Sequence, residues 1–219
     1  MIRCILFDVD GTLIHSYPGI YNAYRFAFEQ MQLDFPGEAF VRQAIGGSLP
    51  HAFEGLYGMG PATAQEAIRH YRAYYSAKGC REATVYPGIP NALRCLRTDG
   101  YRIGTATLKN ERFAAGILKD LGIFNCFDTV CGMDDGNTFT KSKLITRCME
   151  RLHTRPGDTL LIGDSIFDAQ GAEDAGVRFL PVTYGYGFQD RESLRRIHAV
   201  KSAAAPAEIP GLVAEIFRL

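Results

Sequence analysis

Apolar positions gather in four short runs, Cys4 to Val9, Arg102 to Thr107, Thr129 to Cys131 and Leu160 to Gly163, and each gives way to a polar or glycine-bearing turn. Apolar runs this short suit strands covered on both faces, the condition of a parallel sheet. Between them the period changes. Leu93 and Leu96 precede an Asp99-Gly100 stop, Ile117, Leu118 and Leu121 precede Gly122, and Leu144, Ile145, Cys148, Met149 and Leu152 recur at helical spacing. Strands alternating with helices predict an α/β chain built on a doubly wound parallel sheet.

The stretch from Ser16 to Thr84 breaks this rhythm. It carries amphipathic helical patterns, Ile20 to Met31 and Ala62 to Lys78, and no convincing strand. A helical insertion is therefore expected over 16–84, with 1–15 and 85–219 forming the core. Pro18-Gly19 and Pro87-Gly88 supply turn chemistry where the chain crosses between the two bodies. Ser202 to Pro210 reads as a surface connector.

Composition narrows the function. With 219 residues, 47% of them apolar, the chain can bury a core domain and a small insertion. The 24 basic and 24 acidic side chains cancel, so no global positive field exists to hold nucleic acid or an anionic membrane. Any phosphate binding must be local. The six cysteines form no CxxC pair and several sit in apolar runs, which predicts reduced, structural thiols. The apolar start of MIRCILFDVDG is too short for a signal peptide or a membrane span, so a cytoplasmic location is expected.

Ligands of a parallel sheet bind beyond the carboxyl ends of its strands, and there the sequence places Asp8, Asp10, Thr107 and Asp164. Asp8 and Asp10 leave an apolar run at spacing two, and Gly11 lets the backbone turn closely. Two like charges so near each other are costly without a cation between them. Asp164 and Asp168 follow the last run. A lone acid at a strand end is more often a helix cap, but four converging acids imply a hard cation, and few protein oxygens plus a substrate phosphate point to Mg2+.

These residues stand in an order that resembles the haloacid dehalogenase superfamily. Its first motif, DxDGT, appears as DVDGTL from Asp8 to Leu13, and its fourth, GDxxxD, as GDSIFD from Gly163 to Asp168. A strand-end Thr107 in IGTATLK and Lys141 in FTKSKLI stand where the middle motifs belong. YPGI at Tyr86 to Ile89 and EDAG at Glu173 to Gly176 extend the resemblance over nearly the whole chain, and it is strongest to the phosphoglycolate phosphatase branch, with its helical cap.

The resemblance implies a Rossmann-like core and a phosphatase. Asp8 is then the nucleophile, Asp10 the acid and base, and Thr107 and Lys141 the holders of the phosphoryl oxygens. Mg2+ is then held by Asp8, the Asp10 carbonyl and Asp164, with Asp168 orienting a water on the metal. Lys143 is a rival to Lys141. Leu108 departs from the branch, which usually has Asn or Ser there; its backbone N–H remains to meet phosphate. In the insertion, the glycine-bearing loop Gly46 to His51, which includes Gly47, is expected to reach over the site. Arg72 is the candidate for a substrate carboxylate or second phosphate, whereas Tyr71, Tyr74 and Tyr75 are read as packing.

The expected partner is a small phosphate ester: phosphoglycolate, a nucleotide monophosphate, a sugar phosphate and pyrophosphate all stay open. Phosphoryl transfer, as in sugar phosphomutases, is the alternative, although that class usually has a hydrophobic residue where Thr12 stands. A dehalogenase has no use for Asp10 or a metal. A catalytically silent protein on this fold would have lost Asp8, Asp10 or Asp164.

Overall fold

The computed structural model describes residues 3–188, 191–197, 199 and 201–218. Strand β1 (Cys4–Phe7) runs down the middle of a five-stranded sheet. After the antiparallel pair β2 (Ile14–His15) and β3 (Thr84–Val85) come β4 (Arg102–Asn110), β5 (Thr129–Met133), β6 (Thr159–Gly163) and β7 (Arg178–Pro181). The sheet order is β5-β4-β1-β6-β7, and every pairing in it is parallel. Strand β7 lies outside the four runs read from the sequence: it is four residues long and ends in proline, too short to show a pattern.

Alternation along β1 decides which side chain faces which layer. Ile5 and Phe7 join the cluster of Leu93, Leu96, Ile117 and Leu118, contributed by helices α4 (Ile89–Thr98) and α5 (Glu111–Asp120). Cys4 and Leu6 point the other way, into Leu144, Ile145 and Cys148 of α6 (Lys141–Leu152). On this second face Ala172 of α7 (Ile166–Asp174) is buried as well.

The insertion folds from α1 (Tyr17–Gln30), α2 (Glu38–Ala44), a π-helical turn at His51–Leu56 and α3 (Pro61–Ala77). Pro18 and Pro61 sit in the first turns of their helices, where a fixed φ helps and a missing N–H costs nothing. Its interior is aromatic: the rings of Tyr24 and Phe40 meet edge to face at 5.4 Å, and Phe28 and Phe53 are fully buried. Each such burial contributes on the order of 2 kcal/mol. Strands β2 and β3 pair antiparallel, Ile14 with Val85, and so join the two chain crossings.

The segment 202–210 is not a surface connector. Ala203 is buried and bridges to Val182 at the sheet edge, Pro206 is buried, and Ile209 opens the buried face of α9 (Ile209–Ile216), which follows α8 (Arg191–Arg196). Small apolar residues broken by proline carry no period, so burial here leaves no trace in the pattern. All six cysteines are unpaired, with Cys4, Cys131 and Cys148 buried. Among the described residues no helix is long and apolar enough to cross a membrane.

Candidate active site

Parallel register brings Phe7 beside Thr105 on one side and Ile162 on the other, so the next residues of the three strands converge at one edge. Asp8 stands there, its N–H donating to the Ile162 carbonyl at 2.9 Å. Asp164 arrives from the end of β6. Gly11 permits the approach: its φ is +79°, and a Cβ on it would lie 2.2 Å from Asp164 Oδ2. Carboxylate oxygens of Asp8, Asp164 and Asp168 all come within 4.8 Å of one another, and all three residues are buried.

Lys141 enters this cluster from the first turn of α6. Thr140 caps the helix by accepting from the Lys143 N–H, which sends the Lys141 side chain inward, and its stem fills the space left by Gly171. Its Nζ donates to Asp8 Oδ1 at 2.7 Å and lies 2.5 Å from Asp168 Oδ1. Lys143 is exposed.

Asp168 does two jobs. As the third residue of α7 it completes a capping box, accepting from the Ser165 hydroxyl at 2.6 Å and the Ser165 N–H at 3.0 Å through Oδ2, while Oδ1 faces Lys141. The helix-cap role weighed for an isolated acid is thus present and coexists with the ion pair. Asp164, in contrast, has only neutral donors: the Tyr186 N–H at 2.7 Å and the Thr12 hydroxyl at 3.3 Å.

Asp10 is set apart from the cluster. Ser16 Oγ donates to its Oδ1 at 2.5 Å, and Lys109 Nζ lies 2.8 Å from each of its oxygens. Lys109 is the residue that sequence reasoning missed. It stands where the β4–β5 register shifts between Thr107 and Asn110, so Leu108 and Lys109 leave the ladder. Gly132 on β5 makes room, since a Cβ there would lie 2.7 Å from the Lys109 carbonyl. Thr107, just before the shift, is buried, and its Oγ1 accepts from the Lys109 N–H at 3.2 Å.

Burial dominates the electrostatics. It pushes the Asp8 carboxyl up from 3.8 to about 6, against the pull of Lys141 and with further upward pressure from Asp168 and Asp10. Asp164 is raised well above the ordinary range by burial and then by Asp168 and Asp8. Burial alone would lower Lys141 and Lys109, but their carboxylate partners more than offset it and hold both above the usual lysine range.

With all four carboxylates ionised, as ligation requires, they face two ammonium groups and leave two negative charges over. A divalent cation fits that surplus, and the donor set is all oxygen, as a hard cation requires. Asp8 and Asp164 are suited to hold it. Asp168 Oδ2 is taken up by the Ser165 cap, while Oδ1 faces Lys141 and the cluster, beside Asp8 and Asp164.

Over this edge lies a cavity, partly open to solvent. Asp8, Asp10, Thr107 and Lys109 form its floor, while Tyr24, Gly47, Leu49, Tyr71, Arg72 and Tyr75 descend from the insertion. Leu108 and Phe113 of the core complete its wall. The Gly46 to His51 loop touches the core at the fourth motif: a Cβ on Gly46 would lie 2.9 Å from Ser165 Cβ, and His51 meets the Phe167 ring edge-on at 5.2 Å. Arg72 lines the cavity and also spans it, donating to the Asp135 carbonyl at 2.8 Å and Asn137 Oδ1 at 3.1 Å.

A doubly wound sheet that gathers buried carboxylates and a lysine at its strand ends, beneath a helical insertion, defines an α/β protein with a charged site at its sheet edge. The chain belongs to the haloacid dehalogenase-like hydrolases, whose family model matches residues 5–182. It is 34% identical to a 5'-nucleotidase of Pseudomonas aeruginosa over 85% of each chain. It is also 34% identical to the tyrosine-protein kinase PtkA of Mycobacterium tuberculosis over 86% of this chain and 64% of that one. A phosphoglycolate phosphatase of Rhodospirillum rubrum is 31% identical, with 89% of this chain and 85% of the relative covered. Among solved structures, a predicted phosphatase from Clostridium acetobutylicum superposes with a TM-score of 0.92 at 30% identity, over 98% of this chain and all of the other.

Proposed function

We propose that this hydrolase is a Mg2+-dependent phosphatase that cleaves a small phosphate monoester through an aspartyl-phosphate on Asp8. The observation that carries the reading is the division of labour between two neighbouring carboxylates. Asp8 is paired with Lys141 inside the acidic cluster, whereas Asp10 stands outside it, in the grip of Lys109 and Ser16. Asp8, inside the cluster beside Lys141, is placed to attack, and Asp10, outside it on the cavity floor, to handle a proton on the leaving-group side.

Asp8 attacks phosphorus, a bond forms from its oxygen, and the ester P–O bond breaks on the opposite side. Asp10 gives its proton to the departing oxygen. It then takes a proton from water, whose oxygen attacks phosphorus; the bond to Asp8 breaks and inorganic phosphate leaves. Lys141 and the Thr107 hydroxyl hold the equatorial oxygens where charge grows. Asp8, Asp164 and the Asp10 carbonyl would hold Mg2+, which would supply positive charge beside the phosphoryl group.

The cap selects the ester. Tyr24, Tyr71, Tyr75 and Phe113 give the leaving-group side an aromatic wall, with Arg72 and Asn137 as its polar points. That wall suits a soluble organic monophosphate with a ring or carbon skeleton better than pyrophosphate, which offers it nothing apolar. Six unpaired thiols accord with a reducing, cytoplasmic setting. The test is phosphate release by purified protein, with Mg2+, from a panel of nucleoside, sugar and glycolate monophosphates. Release should be catalytic and stoichiometric with ester consumed; phosphate passed to a second sugar without release would overturn hydrolysis in favour of transfer.

A further inference from the structure

Asp10 must hold one orientation to pass a proton to the leaving oxygen, and a buried carboxylate beside another acid cluster has no intrinsic reason to hold it. Two contacts fix it. Ser16 binds one oxygen, and Lys109 Nζ binds both, at 2.8 Å each. Lys109 has little freedom of its own: its side chain is 6% exposed, and its Nζ lies 4.5 Å from the centroid of the Tyr75 ring. Tyr75 belongs to α3, on the cap, while Lys109 belongs to the shifted end of β4, in the core. A cation on an aromatic face, away from water, is held by the ring's negative face.

We propose that Lys109 is the positioning residue of Asp10, and that Tyr75 holds Lys109 in place, so that the proton-transfer carboxylate is aligned only while the cap is packed on the core. The inference rests on the reading of Asp10 as the acid. Proton donation and lid closure are then joined through one side chain: with the cap away, Lys109 loses its aromatic support and Asp10 its two-oxygen grip. An ester that lets the cap close gains an aligned acid, and water arriving in an open site meets a poorly aligned one.

The consequence is a dependence on leaving group. An alkyl phosphate releases a strongly basic oxygen that needs the proton, whereas 4-nitrophenyl phosphate releases an oxygen stable without it. The ratio of kcat/KM for the two isolates the step through leaving-group departure. Lys109→Met should lower kcat/KM for glycerol 2-phosphate about 10- to 100-fold, within the usual reach of general acid catalysis, and change 4-nitrophenyl phosphate by less than about threefold. Tyr75→Leu, which keeps the ammonium but removes the ring, should show the same selectivity at smaller size, about 3- to 10-fold on the alkyl ester. It also carries the test if Lys109→Met fails to fold. Equal losses on both esters, or none, would overturn the role of Lys109. Asp10→Asn is the control: if it lacks the leaving-group selectivity, the assignment of the acid fails with the inference, and if it shows the selectivity while the other two variants do not, only the inference fails.

Discussion

The two halves of the site, the acidic cluster at the sheet edge and the cavity above it, are made differently. The phosphoryl half is charged, buried and over-determined: Asp8, Asp164, Asp168 and Lys141 sit on sheet edges and first helical turns, each with several partners at hydrogen-bond distance. The leaving-group half is mostly aromatic, comes largely from the insertion with Leu108 and Phe113 of the core, and is tied across by Arg72 on Asp135 and Asn137. Rigid elements fix geometry to the tolerance that bond making needs, while a lid with few tethers can open for exchange. On the proposed reading, the chemistry belongs to the sheet and the choice of substrate to the insertion.

The largest effects should come from the phosphoryl half and should be the same for every ester. Asp8→Asn keeps nearly the same shape but removes the nucleophile, so turnover should fall by about 10⁴-fold or more with thermal unfolding little changed. Residual turnover near the parent level would refute the covalent step. Removing divalent metal with a chelator should abolish activity, Mg2+ should restore it, and Ca2+ should not, because its looser coordination misplaces the Asp8 oxygen. Full activity after exhaustive chelation would remove the metal from the reading.

A pH series sharpens the same half. Asp8 titrates at about 6 and Asp164 is also raised, so below that range protons must be displaced before a cation can bind. Mg2+ affinity, followed by calorimetry or by the shift in melting temperature, should weaken as pH falls through about 6. The metal-free protein should behave oppositely. Because the folded pKa of Asp8 lies above its ordinary 3.8, ionising it opposes folding, and stability should decline as pH rises from about 4 to beyond 6. A flat Mg2+ affinity across that window would argue against ligation by Asp8 and Asp164.

Changes in the cap should be smaller and should depend on the ester. Arg72→Ala cuts the tie between α3 and the 134–138 loop as well as a positive point in the cavity, so losses of about 3- to 30-fold are expected, uneven across the panel. Replacing Gly47 with Leu crowds Phe167 and His51, since a Cβ there would already lie 3.1 Å and 3.0 Å from them. It should slow large esters more than a small aryl phosphate. A phosphopeptide should be a poor substrate throughout. If Arg72 and Gly47 variants lower all esters by one common factor, the division between the two halves fails.

Asp8, Asp10, Thr107 and Asp164 were legible in the sequence because each stands beside a recognisable strand end, and a parallel sheet must bring strand ends to one edge; Lys141 was legible only through the family resemblance. Local order along the chain was enough to predict that convergence. Tertiary structure alone decided the rest. Lys109 reaches Asp10 across 99 residues through a register shift that has no periodic signature. Arg72 finds Asn137 across 65, and the Tyr186 N–H finds Asp164 across 22, each set by how two elements pack rather than by what either spells. The burial of Ala203 and Ile209 and the edge strand β7 belong with these. The physical reason is one of range: hydrophobic period and capping chemistry act between residues a turn apart and are written in the sequence. Bulges, lid contacts and the pairing of distant charges appear only when separate elements are pressed together.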